Sequence, residues 1–370
     1  MKQPLSGLKV LDFSTLLPGP LCSLLLAEAG AEVIKFERPE RGDEMRSYEP
    51  KVDADSANFV MLNRGKHSVS IDLKSVDALE MLMPLLKDAD VLIEQFRPGV
   101  MDRLGLGFEA LAKINPRLIY CSITGFGQHG PRAKDAAHDL NYVAASGTLS
   151  LTAGNDGAPV LPPALIADIA GGTYPAMINI LLALRQRDAT GKGTHLDVSM
   201  ADNLFTFQYW GLGNGALGQW PDTASDLVTG GTPRYQIYRT SDNAFLAAAP
   251  LEDKFWGNFT ALIGLDESAL AKLSPSGAIA AVADVIGQHP VAYWEVKFKN
   301  QDVCTSRVLS LEEARHDAHF NARGLFTRIV TTAAGARIPA LPVPLDVTFR
   351  ASDLASPSPA LGADNHLLNH

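Results

Sequence analysis

Hydrophobic residues in the first third of the chain come in short, nearly unbroken runs. GLKVLDFS, AEVIKFE, DVLIEQF and RLIYCSITGFG each read as a strand buried on both faces. Between them, apolar residues recur at helical spacing in PLCSLLLAEAG, closed by Gly30, in SVDALEMLMPLLKDA, and in GFEALAKINP, stopped by Pro116. Strands alternating with amphipathic helices predict an α/β fold, a Rossmann-like doubly wound and mostly parallel sheet. In such sheets ligands sit beyond the carboxyl ends of the strands. A short helical pattern in KDAAHDLNYVAASG ends at Gly147, and a long one runs from Ala167 to about Arg187. DATGKG ends the long one and THLDVSM follows as a strand.

The texture then changes. GGTPRYQIYRTSDNAFLAAAP reads as two strands joined by a polar turn at Asp242-Asn243, and helical patterns follow to about residue 320. This predicts a smaller α+β domain. The expected organisation is a large domain over 1–205, a linker over 206–227, the small domain over 228–325, and a linker with a C-terminal return to the large domain over 326–370.

Composition narrows the function. A net charge of −9 over 370 residues offers no broad basic surface for nucleic acid. Cys22, Cys121 and Cys304 are scattered and odd in number, so they predict a reducing, cytoplasmic setting and no metal site. The longest apolar stretch, YPAMINILLAL, falls short of the roughly 20 residues a bilayer needs, so no membrane span is expected. A nicotinamide dinucleotide is disfavoured too. The turn after the first strand is STLLPGPLCS, without G-x-G-x-x-G, and Pro18 and Pro20 lack the N–H groups a pyrophosphate would use.

Two positions stand out for chemistry. His138 sits beside Asp139 at a helix start, and Asp168 opens the long helix. Taken by position alone, His138 is a polar residue at a helix start and Asp168 an N-cap. Surrounding motifs change that weighting. LLPGP, GAEVIKFERP, NRGKHSVSIDLKS, ADVLIEQFRPGVMDRLGLG, NPRLIYCSITGFGQHGP, AHDLNY, ADIAGG, RDATGKGTHLDVSM and LEDKFW together resemble the family III coenzyme A transferases of the CaiB/BaiF type and their relatives, the α-methylacyl-CoA racemases.

The resemblance implies an interlocked homodimer and an acyl-CoA thioester as substrate, with no further cofactor and no metal. It implies that Asp168 is the transferase nucleophile or one of two racemase acid/base groups. His138 is the second group in the racemases and is generally missing from the transferases. Glu252, in LEDKFW, then supports His138, and Asp139 is a candidate neighbour. Inverting a carbon next to a thioester requires a base on one face and an acid on the other, and imidazole with a carboxylate can exchange those roles. The N–H groups at the two helix starts suit the developing enolate. Gly171 and Gly172 would let a substrate chain come close.

For the coenzyme's phosphates the candidate cations are Arg38, Lys74, Arg97 and Arg103. The family pattern places Arg38, the segment Asp72-Leu73-Lys74, and Ala137, Leu140, Asn141 and Tyr142 against the acyl-CoA. The loop Gln95-Phe96-Arg97-Pro98-Gly99 follows a strand end, at the binding edge of the sheet. Ala137 replaces the glycine of the racemase motif and Leu140 its isoleucine. The expected activity is racemisation of 2-methylacyl-CoA thioesters, with CoA transfer through Asp168 as the alternative and acyl-CoA binding without turnover as a third.

Overall fold

The structure, a computed structural model, describes residues 2–154, 157–353 and 355–368. Asn369 and His370, the end of the expected C-terminal segment, lie outside the described residues. The chain divides into two compact units. The first comprises Met1–Ser146, Pro162–Phe207 and His319–His370, and the second Gly147–Leu161 and Gln208–Ala318.

Six parallel strands make the sheet of the first unit: β1 (Lys9–Asp12), β2 (Glu32–Glu37), β3 (His67–Ser70), β4 (Val91–Glu94), β5 (Ile119–Thr124) and β6 (Thr194–Ser199). Their spatial order is β3-β2-β1-β4-β5-β6, the order of dinucleotide-binding sheets. The order reverses between β1 and β4, and the two chains leaving those strands diverge there.

Successive side chains point to opposite faces, and both faces are covered. On one, Leu11, Ile34, Phe36, Val69, Leu92 and Tyr120 form a core with Leu82 and Leu86 of α1 (Ala78–Asp88) and Leu111 of α2 (Phe108–Ile114). The other face receives the helix Pro18–Glu28 and the long helix α4, described below.

Among the elements that escaped the sequence reading are the helix Ala57–Asn63 and the edge strand β3. The backbone of β3 is partly satisfied from far along the chain. Ser68 N–H donates to Asp364 Oδ2 at 2.9 Å and Ser70 N–H to Asn365 Oδ1 at 2.7 Å, so the C-terminal segment covers this edge. The proline-rich tail also holds a small sheet, Ile329–Thr331 between Arg337–Pro339 and Ala355–Pro357.

Helix α3 (Asp139–Ala145) is followed in this unit by α4, whose helical hydrogen bonding runs from Ala167 to Thr190. Its first turns, Ala167–Thr173, are π-helical: Tyr174 N–H reaches back five residues to Ile169 O. By length and composition α4 could cross a bilayer, but half of its apolar window is buried within the protein, where it packs on β5 and β6.

In the second unit, β7 (Gln236–Arg239), β8 (Phe245–Ala248) and β9 (Thr305–Arg307) form an antiparallel sheet in the order β9-β8-β7. It packs on helices through Tyr238, Leu246, Trp256, Phe259, Val282 and Trp294. Residues 206–227, expected as a linker, include the helix Tyr209–Gly215, and from Gln208 onward they belong to this unit.

Candidate active site

Two cavities open where β1 and β4 part, as the reversal of strand order predicts. The larger, about 830 Å³, has an apolar floor that includes Phe13, Phe36, Ile71 and Leu73. The rings of Phe13 and Phe36 stack with centroids 4.4 Å apart. Arg38, Lys74 and Arg103 lie at its wall, with Asp72 in the turn that presents Lys74: the Lys74 N–H donates to Asp72 Oδ1 at 3.0 Å. Arg38 pairs with Glu44 at the surface. Glu37, Asp43 and Glu44 share this wall, Asp43 paired with Lys35 and Glu44 with Arg38, so Lys74 and Arg103 over an aromatic floor are the cations placed to meet phosphates.

The second cavity, about 420 Å³, holds the candidate chemistry. His138 and Asp168 both line it, joined by Ala137, Asn141 and Tyr142 from the start of α3 and by Gln95, Phe96, Arg97 and Pro98 from the loop after β4. Thr15 and Phe96 border both cavities, which makes the two neighbours.

Local structure explains how each side chain is presented. His138 is the N-cap of α3, its N–H donating to Asn141 Oδ1 at 3.0 Å. Asp139 is the first helical residue, and its carboxylate turns inward, buried, to accept the Asp168 N–H at 3.0 Å. Asp139 therefore ties the histidine's helix to the π-turn carrying Asp168. Burial, and then the Asp139 charge, raise the Asp168 carboxyl to about 7. Asp139 is itself raised by burial, although backbone N–H groups of Asp168 and Ala167 oppose that. Tyr142 donates its hydroxyl to Ala137 O at 2.8 Å and is pushed up to about 12 by burial, then by Asp168 and Asp139.

Several expectations change. Asp168 is not an N-cap; it sits inside the first π-turn. Its N–H is spent on Asp139 Oδ1 and so is not a free donor. The glycine pair serves packing, not substrate approach. A Cβ on Gly171 would lie 2.4 Å from the Met200 carbonyl oxygen, and one on Gly172 would crowd Met200 and Pro18. Gly171→Ala should therefore push the π-turn off Met200, destabilise the protein by about 1–3 kcal/mol and lower turnover, measurable as a drop in Tm alongside kcat. Leu140 points away from the cavity and is 42% exposed. Gly99 lines a separate cavity of about 360 Å³ with Glu94, Ser122 and His195. Glu252 lies in the second unit, as the exposed N-cap of the helix Asp253–Ile263.

Sequence reasoning missed Thr15, Leu16, Thr124 and Met200, all on the wall of the smaller cavity. Their signal was position: each lies at or just beyond the carboxyl end of a sheet strand.

The fold is thus a Rossmann-like α/β sheet whose switch point carries a cavity lined by His138 and Asp168 beside a larger, aromatic-floored one. The sequence profile of CoA-transferase family III matches residues 5–365, and the chain belongs to that family. It is 36% identical over 328 residues to the α-methylacyl-CoA racemase of Homo sapiens, covering 87% of this chain and 82% of the human protein. It is 34% identical over 353 residues to the acetyl-CoA:oxalate CoA-transferase of Acetobacter aceti, covering 92% and 89%. Among solved structures, a CaiB/BaiF family protein from Brucella suis superposes with a TM-score of 0.84 at 30% identity, covering 100% of this chain and 99% of the other.

Proposed function

We propose that this enzyme inverts the α-carbon of 2-methylacyl-CoA thioesters by proton transfer between two bases. The observation that carries this reading is that His138 and Asp168 line one cavity beside a larger, aromatic-floored one that also holds Arg38, Lys74 and Arg103. The coenzyme lies in the larger cavity, its phosphates near Arg38, Lys74 and Arg103, and the thioester enters the smaller one. One group, as carboxylate or neutral imidazole, removes the α-proton and leaves an enolate. The other, as acid, returns a proton to the opposite face. The two groups end with their protonation exchanged, so the next turnover in the same direction requires proton exchange with solvent. A carboxyl raised to about 7 suits both roles at neutral pH, because neither form is strongly favoured. Asp139 positions Asp168 and supplies part of that shift. Glu252 we assign to the support of His138, on the family pattern alone.

The second reading is CoA transfer: Asp168 attacks the thioester to give a mixed anhydride and CoA thiolate, the thiolate attacks the aspartyl carbonyl to release the first acid and leave an Asp168–CoA thioester, and a second carboxylate takes the CoA by the reverse steps, freeing Asp168. The likeness to the Acetobacter aceti transferase favours it. The test is incubation of one enantiomer of a 2-methylacyl-CoA with no second acid, followed by chiral chromatography. Growth of the other enantiomer supports racemisation. Optical stability, with CoA appearing on a second acid once that is added, replaces it with transfer.

We also propose a cytoplasmic homodimer. Its support is the apolar outer face of α4, where Ile178 and Leu182 are 57% and 62% exposed, and the three unpaired cysteines. Sedimentation should give twice the chain mass, and Leu182→Lys should shift it toward monomer or aggregate. A monomeric wild type would contradict the dimer.

A further inference from the structure

The loop that follows β1, from Phe13 to Leu17, walls both cavities. Within it Leu16 has φ +62°, the left-handed region that residues other than glycine avoid. Two buried charges hold it there. Lys35 Nζ donates to the Ser14 carbonyl at 2.7 Å, and the Asp43 carboxylate accepts the Leu16 N–H at 3.1 and 3.3 Å. The ammonium and the carboxylate pair at 2.8 Å, with both side chains wholly buried. The peptide groups on either side of Thr15 are thus gripped by opposite ends of one ion pair. The loop's far end is held separately: Gly19 N–H donates to Gln95 Oε1 at 3.0 Å. Thr173, in the π-turn of Asp168, donates its hydroxyl to Pro18 O at 2.8 Å.

We propose that Lys35 and Asp43 are positioning residues of the active site. Their ion pair fixes the wall shared by the two cavities, and so sets where a thioester passing from one to the other presents its α-carbon to His138 and Asp168. The proposal deepens the acyl-CoA reading and rests on it. Stability does not require charges here, since well-packed apolar residues commonly replace a buried ion pair without loss. Apolar side chains could not hold a carbonyl and an N–H in this left-handed turn. Geometry is what the pair adds, and misplacing reacting groups by about 1 Å can lower a rate roughly 100-fold.

The test is the Lys35→Met/Asp43→Leu double variant, which keeps the branching of each side chain close to the original and removes both grips. Three quantities are measured beside wild type: Kd for free CoA by calorimetry, amide hydrogen exchange at Leu16, and α-proton exchange of a 2-methylacyl-CoA. The expected result is loss of Leu16 amide protection and a kcat lower by roughly 10- to 100-fold, with Kd for CoA changed less than about threefold. A kcat within about twofold of wild type overturns the proposal, as does loss of CoA binding in step with kcat. If the double variant does not fold, Asp43→Ala takes its place, removing the charge and the acceptor of the Leu16 N–H, with the same criteria. Wild type that exchanges no α-protons defeats the racemase reading alone. The variants are then compared for CoA transfer between two acids, and an unchanged transfer rate overturns the clamp.

Discussion

Asparagine in place of Asp168 should give a folded protein with kcat reduced about 10³-fold or more, because both readings of the site route their chemistry through this carboxyl. The same variant should be more stable than wild type at neutral pH. Burial, then the Asp139 charge, raises the native carboxyl from 3.8 to about 7. In the unfolded chain it titrates near its ordinary value, so between about pH 4 and pH 7 the native state binds more protons than the unfolded one. Stability contributed by this group is therefore full below about pH 4, is lost as pH rises through that window, and stays lost above it. The gap corresponds to a ceiling of roughly 4 kcal/mol. Asparagine cannot ionise and escapes the loss. Urea unfolding of both proteins from pH 4 to 8 checks this: the stability difference should open in favour of the variant as pH rises. Parallel curves would show that Asp168 ionises normally and is not tuned for proton transfer.

His138→Ala is the second large effect, and it separates the two reactions. Racemisation should fall about 10²- to 10⁴-fold, the usual contribution of a positioned acid or base. The fold should survive. The start of α3 is closed by Asn141 Oδ1 on the His138 backbone N–H, which alanine retains, so the change in stability should stay within about 1 kcal/mol. CoA transfer through Asp168 has no need of the imidazole. A variant that loses racemisation while wild type moves no CoA to a second acid fixes His138 as a racemase base. Turnover unchanged by the substitution would remove it from the mechanism.

These expectations depend on residues that differ in how visibly the sequence displays them. The interior strands were plain because VLDF, EVIKF and LIYCSI are buried on both faces and need long apolar runs. The edge strand β3 was not, because HSVS has a single apolar residue, Val69, and finds hydrogen bonds in Asp364 and Asn365, nearly 300 positions away. His138 and Asp168 were legible through their motifs, and the cavity they share follows from the order of the strands. The π-turn was not legible, since ADIAGG fits an ordinary helix start equally well. The true function of Gly171 shows only once Met200 O is in place beside it. Leu16 was hidden for a related reason. Its left-handed backbone comes from Lys35 and Asp43, which lie 19 and 27 positions further on and read in sequence as ordinary strand and loop charges.

The central claim is that two groups in one cavity exchange an α-proton with solvent. The most direct measurement is incubation of a single enantiomer of a 2-methylacyl-CoA in D₂O with the enzyme alone, following mass and chirality together. Wild type should take up one deuterium at the α-carbon as optical purity is lost, and His138→Ala should abolish the inversion. Complete retention of the α-proton over the same time, on several acyl chains, with CoA passing to an added carboxylic acid, would contradict the racemase account and leave Asp168 as a nucleophile.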